Sequence, residues 1–133
     1  MDRIMLGAAA LFTTSTVIGT IVSFHEEVPG EPLGHTIRWS VLEDPAGRML
    51  GGSGISAPWM MPTVCLAAAV VARPGQQWPR RMITGMAVAL TIGQLIEPVT
   101  WGLRSRKPQV FGMVVLNMLS AVALFTSVRH SAR

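Results

Sequence analysis

The sequence has no tyrosine, one cysteine (Cys65) and little charge: 14% of its 133 residues are Asp, Glu, Lys or Arg, where soluble domains average about 25%. Each shortage excludes something. One cysteine excludes an intrachain disulfide and a cysteine-based metal cluster. Scarce charge, set against 50% hydrophobic residues and a mean hydropathy of +0.44, excludes an ordinary soluble domain. No basic patch alternates with aromatic residues, so the net charge of +4 does not point to nucleic acid. There is no Gly-rich phosphate loop, nucleophile elbow or zinc-protease motif, and no cofactor or metal is expected. The arginines fall instead at the ends of apolar runs, where lipid head groups lie.

What the sequence does have is four apolar runs. They predict an all-α fold, an integral membrane four-helix bundle in one domain over residues 1–133, with a long first extramembrane loop. The spans fall at about 4–24, 56–72, 82–103 and 110–128. The first run has a weak charged start, is too long for a signal peptide and lacks a cleavage site, so it reads as an uncleaved helix. Thr13, Thr16, Thr20 and Ser23 recur along it at helical steps, a mildly polar stripe suited to face other helices. Residues 25–55 form a polar connection with five acids against Arg38 and Arg48. A short interfacial helix is expected at 35–42, and Gly51-Gly52-Ser53-Gly54 reads as a flexible joint. Pro58 suits the first turn of the second span, and Trp59 an interfacial position.

The third run is the unusual one. Glu97 is the one acid of seven that lies inside an apolar run. A carboxyl group at membrane depth is costly unless it is neutral, paired or facing water. Gln94 and Trp101 stand three and four residues away, on its side of a helix. Pro98 leaves the Gln94 carbonyl without its usual amide partner. Gly85, Ala89 and Gly93 make a small-residue row along which another helix can approach closely. In the fourth run Asn117 and Ser120 share a side.

Four spans place both termini on one side of the membrane. The basic residues divide almost evenly, six to five, so the positive-inside rule is nearly silent. The acidic first loop is easier to place outside, which puts both termini in the cytoplasm of a multi-pass cell-membrane protein. Depth says more. Glu97 lies about 9 Å, and Asn117 about 10 Å, below the side of the third loop, at 1.5 Å per residue. Antiparallel third and fourth helices bring the two together.

The expected function is binding of a hydrophobic small molecule in an intramembrane pocket. Glu97 would act as general acid or base in an isomerisation, cyclisation or epoxide opening. Asn117 and Gln94 would hold Glu97, and His25 would exchange protons with it beside Glu26. Trp101, Trp59, Met60 and Trp39 would bind the substrate. Two other readings use the same residues. One is a proton-coupled transporter, which requires a homodimer with Glu97 near its axis. The other is an accessory subunit without chemistry, which requires the Gly85/Ala89/Gly93 row to face a partner. The bland reading makes Glu97 a neutral acid bonded to Asn117, holding two helices in register. His25-Glu26-Glu27 does not suit a metal, because adjacent helical residues point to different sides; a solvated helix end is expected there.

Two layouts are similar to known families. Four short spans with a membrane glutamate resemble the small multidrug-resistance transporters, which implies proton-coupled export. That family carries its glutamate in the first helix and has short loops, unlike this chain. A long first loop with Arg38-Trp39, Asp44-Pro45 and Ala57-Pro58-Trp59 is similar in layout to the emopamil-binding and sigma-2-receptor family. That resemblance implies binding of sterol-like amines and, in some members, sterol isomerisation. It covers about a third of the chain, and the acids expected in that family's second helix are absent here.

Overall fold

The computed structural model describes residues 2–36, 45–73, 75–103 and 106–130. Among these the regular structure is helical: α1 (Arg3–His25), α2 (Pro45–Gly51), α3 (Met60–Val71), α4 (Trp78–Ile96) and α5 (Pro108–His130). Single 3-10 turns occupy Pro32–Gly34 and Pro98–Trp101. An isolated antiparallel bridge joins Ser53 to Ser56, and no strand occurs among the described residues.

Local chemistry sets the ends of α1. The Asp2 carboxylate accepts from the amides of Ile4 and Met5, 3.0 and 3.2 Å away, and so caps the first turn. The helix closes at Glu26, and Glu27 takes a left-handed φ of 52°. The Val28 amide then returns to the Ser23 carbonyl at 3.1 Å, a Schellman-type stop. Proline opens α5 at Pro108, where a missing N–H costs nothing. By length and composition α1 and α5, 23 residues each, are able to cross a membrane.

Two apolar runs differ from the spans their composition predicts. The run 82–103 is not one helix: α4 begins earlier, at Trp78, and stops at Ile96. Glu97 is extended (φ −81°, ψ 126°) and a 3-10 turn follows. Pro98 explains the break, because its ring disfavours helical backbone at the residue before it and it donates no N–H. The run 56–72 is helical only from Met60, so α3 has 12 residues and a length of about 18 Å. Pro58 biases Ala57 toward extended backbone.

Residues 52–58 therefore form a non-helical strap, folded at Ser53–Ser56 into a tight turn whose end residues exchange amide-to-carbonyl bonds at 2.8 and 3.3 Å. Gly52, Gly54, Ile55, Ser56 and Ala57 in it are buried. The glycines read as a loose joint are instead a tight insertion. A Cβ on Gly54 would lie 3.0 Å from Val99 Cγ1 and 3.1 Å from the Pro29 carbonyl, and Gly52 has φ +74°. The interfacial helix expected at 35–42 falls mostly outside the described residues; His35 and Thr36 are not helical.

Four helices close a ring: α1 packs on α3 and α5, and α4 packs on the same two. Small side chains let them approach closely. One core cluster gathers Ala8, Ala9 and Phe12 of α1 with Cys65, Ala68 and Ala69 of α3, and includes Ile83 and Ala87 of α4 and Leu124 of α5. A second, nearer the strap, joins Ile55 to Val28, Val99, Val110, Met113 and Val114. A polar layer spans the ring beside the strap.

Candidate functional site

The strap carries backbone carbonyls into the interior, and two amide side chains meet them. Asn117 of α5 donates from Nδ2 to the Ile55 carbonyl at 3.0 Å and to Gln94 Oε1 at 2.8 Å. Its Oδ1 accepts from the Ser15 hydroxyl of α1 at 2.6 Å. Gln94, in the last turn of α4, donates from Nε2 to the Gly54 carbonyl at 3.0 Å and to Thr100 Oγ1 at 2.9 Å. The Thr100 hydroxyl donates in turn to the Gln94 backbone carbonyl at 2.5 Å, a group that Pro98 deprives of its usual i+4 amide and that the Glu97 amide reaches only at 3.4 Å. Both amides use their carbonyl and both N–H bonds. Non-helical backbone inside a low-dielectric interior needs this kind of internal satisfaction.

A second node lies on α1. Thr20 Oγ1 donates to the Thr16 carbonyl at 2.8 Å and accepts from Trp59 Nε1 at 3.1 Å. Ser56 Oγ lies 2.8 Å from the same oxygen. The buried Thr16, Thr20 and Ser23 follow the polar stripe read from the sequence. Gly19, between them, meets the strap directly: a Cβ built there lies 2.5 Å from the Ile55 carbonyl oxygen.

Glu97 stands apart from the amide network. It is 8% exposed, and its Oε2 accepts from the backbone N–H of Glu31 at 2.9 Å. That bond ties the start of the first loop to the end of α4. Among the described residues nothing hydrogen-bonds the other oxygen, Oε1. Glu97 borders a half-open cavity of about 260 Å³ whose lining is mainly apolar. Gly54 and Ser56 of the strap, Met61 of α3, and Ala89 and Gly93 of α4 also line it. The volume lies just below the usual range of ligand pockets, roughly 300–1,000 Å³.

The geometry corrects several site assignments drawn from the sequence. Asn117 and Gln94 do not hold Glu97; their hydrogen-bonding groups are engaged with the strap, with Ser15, with Thr100 and with each other. The bond joining the two neighbouring helices is thus Gln94–Asn117, one turn before Glu97, because the chain leaves the helix at Pro98. His25 is exposed at the end of α1, and no hydrogen bond joins it to Glu97. Glu26 pairs with Lys107, fastening the exit of α1 to the start of α5. Trp101 is 64% exposed, with Nε1 on the Leu95 carbonyl at 2.9 Å. Met60 is 69% exposed, whereas Met61 lines the cavity. Trp59 turns to Thr20. Trp39 lies outside the described residues. Ser15, Thr100, Glu31 and the strap carbonyls were not singled out from sequence. Thr100 had a signal, a hydroxyl two residues past the proline that orphans a carbonyl; the Glu31 amide had none.

These features define an all-helical protein with two helices able to cross a membrane, a buried polar layer and a carboxyl-lined cavity. No family model, curated protein or solved structure matches the chain. The two similarities of layout rest on the quoted residues alone.

Proposed function

We propose that the chain is a four-span membrane protein that binds a small hydrophobic molecule in the cavity beside Glu97. The strap with α3 would make the second span, and α4 with its 3-10 turn the third. Both termini would lie in the cytoplasm, with the acidic first loop outside. The observation that carries the reading is the Glu97 carboxyl: buried, anchored through one oxygen by the Glu31 amide, and bordering a mainly apolar cavity. Such a group recognises a hydrogen-bond donor or a basic centre on an otherwise apolar ligand. It is also equipped to pass a proton to or from that ligand, which supports acid/base catalysis as its use. A ligand would enter from the bilayer between α3 and α4, both of which contribute to the lining.

Two substitutions test this without disturbing the strap. A Cβ on Gly93 meets nothing within 4 Å, so Gly93→Leu is tolerated and fills the cavity. Glu97→Gln keeps an acceptor for Glu31 and removes the acid. Lipid-soluble molecules co-purifying with the protein are identified by mass spectrometry and then titrated back. Gly93→Leu is expected to abolish binding, and Glu97→Gln to weaken it by about tenfold to a hundredfold, the equivalent of ~1.5–3 kcal/mol. Catalysis requires the bound molecule to turn over with the parent protein and not with Glu97→Gln. Full binding by both variants removes the proposal.

A second reading has one observation in its favour. Gly85 and Ala89 are exposed, and no helix among the described residues covers them. A partner helix or a second copy would close on it there. A monomeric mass in detergent, unchanged by Gly85→Leu, counts against that reading.

A further inference from the structure

The opposite end of α4 bears a second hollow, of about 520 Å³ and wide open. Gln77 just before α4 and Arg80, Arg81, Thr84 and Gly85 of α4 line it, with Val128 of α5 on the far wall. Gly85 and Val128 give its floor an uncharged carbon surface, and its rim is cationic. Arg81 reaches Gln77 Oε1 at 3.2 Å, and among the described residues no acid pairs with Arg80 or Arg81. Arg3, Arg73 and Arg129 end the neighbouring helices on the same side, since α1 and α4 start there and α3 and α5 finish there. The acid at that end, Asp2, is engaged by the first amides of α1. Below the rim a Cβ on Gly85 meets nothing within 4 Å, so the surface of α4 is open there.

We propose that this groove seats an anionic phospholipid, its phosphate held between Arg80 and Arg81 and one acyl chain lying over Gly85. Guanidinium groups match phosphate in paired hydrogen bonds. A zwitterionic lipid brings its own ammonium to an already cationic rim and is disfavoured, whereas an anionic lipid supplies the missing charge. The carbon surface of Gly85 and Val128 beside the rim favours a lipid over a free anion. The inference rests on the membrane reading of the chain and is independent of Glu97.

The full chain is extracted from membranes in mild detergent and exposed to phosphatidylglycerol or phosphatidylcholine, and retained lipid is counted by native mass spectrometry. Phosphatidylglycerol is expected to be retained in preference by about tenfold or more, with the preference lost in Arg80→Gln/Arg81→Gln. Gly85→Leu is expected to reduce retention of phosphatidylglycerol while helicity by circular dichroism stays unchanged. Equal retention of the two lipids overturns the site, as does binding of inorganic phosphate that Gly85→Leu leaves intact. A dimer in lipid-free detergent that Gly85→Leu dissociates makes a second copy the occupant and also overturns it. A chain recovered in the soluble fraction removes the membrane reading and this site together. A membrane-embedded chain without lipid preference removes the site alone.

Discussion

Gly19→Ala is expected to destabilise the protein by about 2–4 kcal/mol, although alanine is the better helix former by about 1 kcal/mol. The added methyl would stand 2.5 Å from the Ile55 carbonyl oxygen and 3.3 Å from Met113 Cε. The methionine end can move. The carbonyl cannot move cheaply, because Asn117 holds it from the other side at 3.0 Å. Relieving the clash means shifting the strap and loosening that bond, which costs more than the helix gains. Gly7 of α1 and Gly112 of α5 are the controls, since nothing lies within 4 Å of a Cβ at either. Alanine at those two positions is expected to be neutral or stabilising by up to about 1 kcal/mol. Unfolding midpoints in detergent micelles measure all three. A neutral Gly19→Ala would mean that the strap does not press on α1.

The second large effect concerns the amides. Asn117→Ala is expected to cost about 3–5 kcal/mol, because it strands the Ile55 carbonyl, Gln94 Oε1 and the Ser15 hydroxyl in the interior. Gln94→Ala strands the Gly54 carbonyl and one Asn117 N–H, and is expected to cost somewhat less. The two share a bond, so the double variant should fall short of the sum by about 1 kcal/mol. Glu97→Gln should change stability little, since its amide oxygen can still accept from Glu31. The network and the carboxyl thus separate by readout: unfolding follows Asn117, and ligand binding follows Glu97. Large loss of stability in Glu97→Gln alongside a silent Asn117→Ala would reverse those roles.

Much of this site was legible as residue types and little of it as contacts. Two amides in apolar runs marked the polar layer, and matching heights on antiparallel helices brought Asn117 to the right part of α4. The partner was misread by one turn. A helix projected through Pro98 puts Glu97 next to Asn117. The chain instead leaves the helix before Pro98, and Gln94 takes that place. Trp59, Met60 and Trp101 stand outside the cavity lining for a different reason. Tryptophan and methionine suit the lipid boundary as well as a pocket, and nothing in sequence spacing separates Met60 from Met61.

The sequence alone determined the helical class, the four apolar runs and the identity of the costly polar groups. These follow from composition and from local backbone preference, which act within a few residues. Only the tertiary structure decided that residues 52–58 enter the interior as a strap, that the amides serve its carbonyls, and that Glu97 takes the Glu31 amide at the edge of a cavity. Those outcomes depend on contacts between residues 23 to 102 positions apart. A buried carbonyl takes whichever donor the assembled helices bring within reach, and local spacing carries no record of that choice.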